Sequence, residues 1–331
     1  MNISVYITSY NQGDLLKEAI DSVLAQTLPA RQIIVVDDCS SDGSQDVIAD
    51  YARRHPGLFT TILHEENKGI GRTRIDAIEA VCCDYASHLD GDDKYLPRKL
   101  EMEASALKET PSARVAFSNY YYTNARGERT GVWADAVKPP EGDVFARVFA
   151  RDFPKHGLFR NELVHYESWK RIGFYDPNLN LYEDYEMLIR MTKQLRVVFH
   201  DEPLSEYRRH DIGLSRADAS KHLAAFDYIR KKNEHLLDDL PQTDQRFVRR
   251  RLAAITATTA RNAAHQALET GAGRFGGRQE AIGLYLRSAR DRPLDLLDAA
   301  LAARILLPAC VYRGLKSTYQ RHVGRPLDAQ Q

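Results

Sequence analysis

Apolar residues along the first hundred positions follow two alternating rhythms. Ile3-Ser4-Val5-Tyr6-Ile7 alternates with period two, as a strand does, and the next stretch places Leu16, Ile20, Val23 and Leu24 on one helical face. Ile33-Ile34-Val35-Val36 is apolar throughout, which suits a parallel strand covered by helices on both faces. The same rhythm predicts a helix over 44–54, a strand over 58–64, a helix over 70–82, a strand over 85–89 and a helix over 97–109. Strands alternating with helices imply right-handed crossovers and a parallel sheet of the nucleotide-binding type.

The pattern changes after residue 110. Apolar residues at 115–117, the run Tyr120-Tyr121-Tyr122, a turn at Ala125-Arg126-Gly127-Glu128 and a short strand over 130–133 predict a hairpin added to the sheet. A helix is expected over 183–194, then strands at 196–199 and 204–207. Beyond about 216 only helical spacing remains, over 217–238, 243–269, 277–290 and 294–318, with Pro293 placed where a first turn tolerates proline. The expected organisation is therefore an α/β domain over 1–215 and a helical region over 216–331.

Composition narrows the classes. The 331 residues have room for one large domain or two ordinary ones, and Lys+Arg and Asp+Glu both number 46, which argues against a general nucleic-acid binder. Cys39, Cys82, Cys83 and Cys310 have neither zinc-site nor redox spacing and read as reduced thiols, Cys82-Cys83 as helix filling. Met1 runs straight into the first strand, so the expectation is a cytoplasmic protein. Between Arg274 and Arg325 ten Lys and Arg stand against four Asp and Glu, on a segment that also carries Leu294, Leu297, Leu301 and Ile305. That basic amphipathic profile fits contact with an anionic surface at the inner face of the cell membrane, or helices packed on the first domain or on a second subunit of a homo-oligomer. Arg304 interrupts the apolar run, so it is no membrane span.

Chemistry enters at His88-Leu89-Asp90-Gly91-Asp92-Asp93, where carboxylates crowd around one glycine at the end of an apolar strand. Like charges this close repel, and oxygen ligands on a short turn suit Mg²⁺ or Mn²⁺, which take one or two carboxylates and complete their shell with water and phosphate. The plain alternative is an acidic surface turn with Asp93 capping the next helix. Three further polar segments fall at predicted strand ends, where open α/β sheets bind ligands. They are Thr8-Ser9-Tyr10-Asn11, then Val36-Asp37-Asp38-Cys39-Ser40-Ser41-Asp42-Gly43, then Glu66-Asn67-Lys68-Gly69 with Arg74 beyond it.

In this order, and with Gly173-Phe174-Tyr175-Asp176, Glu183-Asp184 and Tyr207-Arg208-Arg209-His210 following, the segments resemble family 2 glycosyltransferases of the GT-A fold over about residues 1–215. The resemblance implies a Rossmann-like, mixed but mostly parallel sheet flanked by helices. It also implies an inverting, metal-dependent transfer of sugar from a nucleotide-sugar donor, uridine-linked, to an acceptor hydroxyl, in polysaccharide, glycan or glycolipid synthesis with a carbohydrate or lipid-linked acceptor. By the same resemblance Thr8, Tyr10, Asn11 and Asp38 line the nucleobase slot, Asn67 and Gly69 shape its turn, and Arg74 stands beside the base. The chain departs from the family there, with Thr73-Arg74-Ile75 where Ala-Arg-Asn is usual. Asp92 would contact Mg²⁺ or Mn²⁺, and Asp90 the ribose or the metal's water. Asp184 would be the catalytic base with Glu183 beside it, and Arg208 and His210 would close the site near the diphosphate.

Each residue also has a plainer reading: Asp37, Asp38 and Asp42 as turn and cap chemistry, Arg74 as a solvated helix charge, Asp184 as an acid at a helix start, Arg208 and His210 as edge-strand surface. Trp133, Trp169, Tyr182 and the tyrosine run are core aromatics or an acceptor-stacking surface. Two rival functions stand beside the transferase: a non-catalytic nucleotide- or sugar-binding protein on this fold, and a nucleotidyltransferase. The second normally has a basic, glycine-rich triphosphate loop near the start, and residues 8–14 contain no basic side chain.

Overall fold

The computed structural model describes residues 1–209, 218–270, 281–286, 301, 302 and 305. The chain divides into two compact units, Met1–Leu214 and Ser215–Gln331.

The first unit opens with β1 (Ile3–Ser9), α1 (Gly13–Leu24), β2 (Gln32–Asp37), α2 (Ser44–Arg54), β3 (Phe59–Leu63), α3 (Ile70–Glu79) and β4 (Tyr85–Asp90). It continues through β5 (Lys94–Tyr95), α4 (Lys99–Glu109), β6 (Ala113–Thr123), β7 (Arg129–Val132), α5 (Phe145–Phe149), β8 (Leu163–His165), α6 (Tyr166–Ile172), α7 (Glu183–Gln194) and β9 (Arg196–Arg208). Among the described residues the nine strands form one mixed sheet ordered β3-β2-β1-β4-β8-β6-β9-β5, with β7 on β6. Strands β3, β2, β1 and β4 are parallel, and β8 joins antiparallel. The expected fold class is met.

Period-two alternation divides β1 between two layers. Ile3, Val5 and Ile7 enter a core with Leu16, Ile20 and Val23 of α1, Ile48 of α2, and Leu100 and Leu107 of α4. Each such side chain contributes roughly 1.5–3 kcal/mol through burial. Tyr6 faces the other layer, where its hydroxyl lies 2.7 Å from that of Tyr175 and its ring meets those of His88 and Trp169 at a tilt. The site lies on this second face.

Several expectations change in detail. The strands expected at 196–199 and 204–207 are one strand, β9, which runs parallel to β6 with register shifts around Ser118 and Asn119. β5 and β8, two and three residues long, carry too short a pattern to be read from the sequence. Cys82 and Cys83 lie just past α3 and do not fill it. Trp133 and Trp169 are fully buried, so they are core and not a stacking surface; the Trp133 indole donates to the carbonyls of Pro154 and Gly157.

The second unit contains α8 (Ala219–Asn233) and α9 (Gln242–Thr270). Leu223 and Ile229 of α8 and Val248, Ala260 and Ala264 of α9 are buried. Among the described residues no helix is long and apolar enough to cross a membrane. His210, Cys310 and nearly all of the basic segment 274–325 lie outside the described residues.

Candidate active site

Because β1 runs between β2 and β4, three strand ends meet on one edge. Thr8 is in register with Val36 on one side and Asp90 on the other, and its hydroxyl lies 3.5 Å from Asp90 Oδ1. Gly91 lets the acidic turn fold against β1, since a Cβ there would come within 2.9 Å of the Thr8 carbonyl oxygen.

On the β2 side, Asp38 is buried and heavily used. It accepts from the Lys68 amide (2.8 Å) and the Gly69 amide (2.9 Å), and His64 Nδ1 lies 2.8 Å from Oδ1. Those contacts use three of the roughly four acceptor positions of a carboxylate. The far side of His64 faces Asp76 at 2.9 Å. Asn67 donates to the Asp38 carbonyl, while Gly69 (φ 82) packs so closely that a Cβ would stand 2.5 Å from Asn180 Oδ1. Asp37 accepts from the Ser40 amide and from Gln45, and Asp42 caps Ser44. Asn11 (φ 52) is tied to Ser40 and Ser41, and beside it Tyr10 is 52% exposed.

Across β1, a chain of buried charge crosses from the acidic turn to α7. Arg74 of α3 is not a solvated helix charge: it is buried, with Nη2 2.9 Å from Asp90 Oδ1 and Nη1 2.8 Å from Glu183 Oε1. Burial works against its charge, yet Asp90 and Glu183 hold its pKa well above the ordinary value. Arg160 reaches the other Asp90 oxygen at 3.0 Å and Asp93 at 3.5 Å, its guanidinium lying 3.7 Å from the Tyr207 ring centre. Burial pushes Asp90 up, but Arg74, His88 and Arg160 outweigh it and hold the carboxyl well below the usual range. Asp93 goes the other way, raised by burial against the pull of Arg160.

The acidic turn is clamped by β9. The Arg208 amide donates to Asp93 Oδ1 (2.8 Å), its Nε to the Asp92 carbonyl (3.0 Å), and Nη2 to Glu18 (2.7 Å). Arg208 is thus neither edge-strand surface nor a spare cation: its guanidinium is committed inside the fold. Among the described residues no three His, Cys, Asp or Glu side chains converge as a ready-made metal cage. Both Asp90 oxygens face arginines, and on the same turn the carboxylate of Asp92 is half-buried. One hard oxygen donor fits a Mg²⁺ or Mn²⁺ ion that arrives with substrate phosphates, and does not fit a tightly held structural metal.

α7 is a rigid platform. Arg190 pairs with Glu186 and donates to the Gly173 carbonyl (2.8 Å), while the Tyr185 hydroxyl donates to the Phe149 carbonyl (2.6 Å). At its start Tyr182 adopts a left-handed backbone (φ 62), a strained conformation that aims the first turn. Burial pushes the Glu183 carboxyl up to about 7 despite Arg74, with Asp184 adding to the rise. Asp184 is half-buried and opens on a cavity shared with His88, Arg160, Asn161, Glu162 and Tyr175. Burial, reinforced by Arg74, lowers His88 to about 4 and keeps it neutral. The Glu162 carboxyl is raised to about 7, chiefly by burial.

Arg160, Asn161 and Glu162 are not among the site residues expected from the sequence. The one available signal is three polar side chains directly ahead of the apolar Leu163-Val164.

Known proteins share this architecture. The model for glycosyl transferase family 2 matches residues 4–169. A Bacillus subtilis (strain 168) glycosyltransferase described as acting in teichuronic acid biosynthesis, TuaG, is 36% identical over 118 residues, 36% of this chain and 46% of that protein. An uncharacterised glycosyltransferase of Rickettsia typhi is 29% identical over 213 residues, 63% of this chain and 64% of that protein. The matched stretch thus spans from about half to just under two thirds of these relatives. Among solved structures, S. aureus TarS 1–349 in complex with UDP-GlcNAc superposes with a TM-score of 0.64 at 17% identity, covering 97% of this chain and 92% of that one. The Pyrobaculum calidifontis mannosyltransferase PcManGT, in complex with GDP-Man and Mn²⁺, gives 0.55 at 14% identity, covering 97% and 88%. At these identities the likeness is one of fold.

Proposed function

Since the chain belongs to glycosyl transferase family 2, we propose that it moves a sugar from a uridine-linked nucleotide-sugar donor to an acceptor hydroxyl by a single, inverting displacement. The observation that carries this reading is Arg74, whose one guanidinium ties Asp90 of the acidic turn to Glu183 beside Asp184. Donor-holding and proton-accepting carboxylates are thereby fixed in one rigid constellation, the condition for orienting two reactants.

In the proposed reaction the nucleobase enters between the β1 and β2 ends, where the exposed Tyr10 offers a stacking face. Thr8, Asn11, Asn67 and Gly69 shape the slot, and Asp38 retains about one acceptor position for the imide N–H of uracil. Support for uridine comes from the UDP-GlcNAc complex of the TarS fold relative. A Mg²⁺ or Mn²⁺ ion on Asp92 would neutralise charge on the departing diphosphate; the Mn²⁺ complex of the mannosyltransferase is consistent with this. Asp90, held ionised by its arginines, faces the ribose side of the donor. Asp184 takes the proton of the acceptor hydroxyl as it attacks the anomeric carbon, and Glu183, paired with Arg74, holds the first turn of α7 in place.

A panel of nucleotide sugars with Mg²⁺ or Mn²⁺, read by release of free nucleoside diphosphate with and without chelator, tests the reading. A uridine-linked donor should turn over fastest and lose its turnover on chelation. NMR of the product should show the anomeric configuration opposite to the donor's; retention would remove the single-base mechanism.

A further inference from the structure

The cavity beside Asp184 is walled by polar groups that the fold does not use up. Asn161 is 3% exposed, and its Oδ1 has no hydrogen-bond partner among the described residues. Arg160 Nε has none either, although Nη2 of the same guanidinium is held by Asp90. Glu162 is 6% exposed, and among the described residues the hydrogen-bond donor to its carboxylate is its own backbone amide. Each unmade bond on a buried polar atom costs about 1–3 kcal/mol. Native folds keep such groups where a ligand completes them.

We propose that Asn161 and Glu162, with Arg160 Nε, form a subsite that binds one hydroxyl of the sugar being transferred. The inference rests on the glycosyl-transfer reading and adds which substrate group this wall contacts. Position decides the assignment. Arg160 binds Asp90 at the acidic turn, where the leaving diphosphate is placed, and Asp184 opens on the same cavity, where the attacking hydroxyl is placed. In a single displacement the transferred sugar lies between the leaving and the attacking oxygen. The wall joining the two stations therefore faces that sugar, and neither the nucleobase nor the far end of the acceptor.

Size and chemistry agree with a single hydroxyl. The enclosed part of the cavity is small, about 20 Å³, and has room for a water-sized group. A hydroxyl both donates and accepts, and the wall offers an Arg N–H donor, an amide, and a carboxyl that burial raises to about 7, so that near neutral pH it serves in either sense. A site built to bond a hydroxyl discriminates strongly against a sugar that lacks it or turns it away, because its own buried groups are then left unpaired.

The test is calorimetry with UDP, UDP-glucose, UDP-galactose, UDP-N-acetylglucosamine and UDP-N-acetylgalactosamine, two pairs that each differ in the direction of one hydroxyl. Glu162→Met removes both oxygens at similar volume. Asn161→Gly is an independent second variant, since its backbone (φ 55) is one glycine adopts freely and a folding failure of the first would not affect it. Wild type should favour one member of a pair by about tenfold or more, and each folded variant should lose most of that preference while binding UDP itself within about twofold of wild type. Variants that keep the preference, or a wild type that binds both members of each pair equally, overturn the subsite and leave the transferase reading standing. A wild type that binds neither UDP nor any of the sugars overturns both.

Discussion

Asp38 follows β2 and Glu162 precedes β8, on either side of the β1–β4 pair, and both carboxylates are buried. Asp38 accepts from two backbone amides and abuts His64, which in turn abuts Asp76, so the fold takes up most of its acceptor capacity. Glu162 is met by its own backbone amide and not by a second strand or turn, and around it Asn161 and Arg160 keep polar atoms unmatched among the described residues. Between the two, Arg74 and Arg160 hold Asp90. Burial alone therefore does not mark a reactive group. A buried carboxylate that the fold has satisfied holds shape, and one that the fold leaves short of partners is disposed toward something from outside.

The contrast breaks hardest at Asp184, which opens on the unsatisfied cavity. Asp184→Asn should lower transfer by about two to four orders of magnitude while donor binding by calorimetry stays near wild type. Near-normal turnover would move the base to Glu183. Arg74 comes next, because it holds the two carboxylate stations together. Arg74→Met leaves Asp90 and Glu183 buried without it, and urea unfolding should show a loss of about 3–5 kcal/mol. A loss below about 1 kcal/mol would mean that the bridge is not structural.

Glu162 supplies a pH signature of its own. Its folded pKa, about 7, lies above the ordinary 4.5, so the folded state binds the proton more tightly than the unfolded state does. The resulting stability is fully present below the unfolded value and is lost as pH rises through about 7. Relative to Glu162→Gln, which stays neutral, wild type should weaken by on the order of 3 kcal/mol between pH 4.5 and 8 in denaturant titrations. A flat difference across that window would show that burial does not perturb the group. The smallest effect belongs to the Asp38 region: Gly69→Ala, at φ 82 and against Asn180, should cost about 1–2 kcal/mol by urea unfolding. Uridine diphosphate affinity should fall with it, since the same turn borders the base slot.

How much of this the chain announces depends on the range of the interactions involved. The first four strands were legible because each carries its own local pattern, and the acidic turn because its charges are contiguous. β8 was not, since three residues cannot display a period, and Arg160, Asn161 and Glu162 were hidden with it. Asp38 was legible as a strand-end acid. Its occupation by amides of Lys68 and Gly69 was not, because backbone donors some thirty positions away leave no mark in side-chain identity. Arg74 keeps the family's arginine position although its neighbours Thr73 and Ile75 depart from the motif, and its role as a bridge was hidden because its partners come from β4 and α7, each legible separately but not their convergence.

The Arg208 clamp sets the order in which the site can be made. Its amide meets Asp93 across 115 positions, and β5, directly after the acidic turn, pairs with β9 through Lys94 and Glu206. Such a contact has a high loop-closure cost and forms late in folding. On a ribosome, the turn acquires its final shape only after residue 208 has emerged, when the whole parallel half of the sheet is already outside the exit tunnel. A fragment cut at residue 169, where the family match stops, would retain the acidic residues while lacking both the strand that clamps them and the helix that bears Asp184.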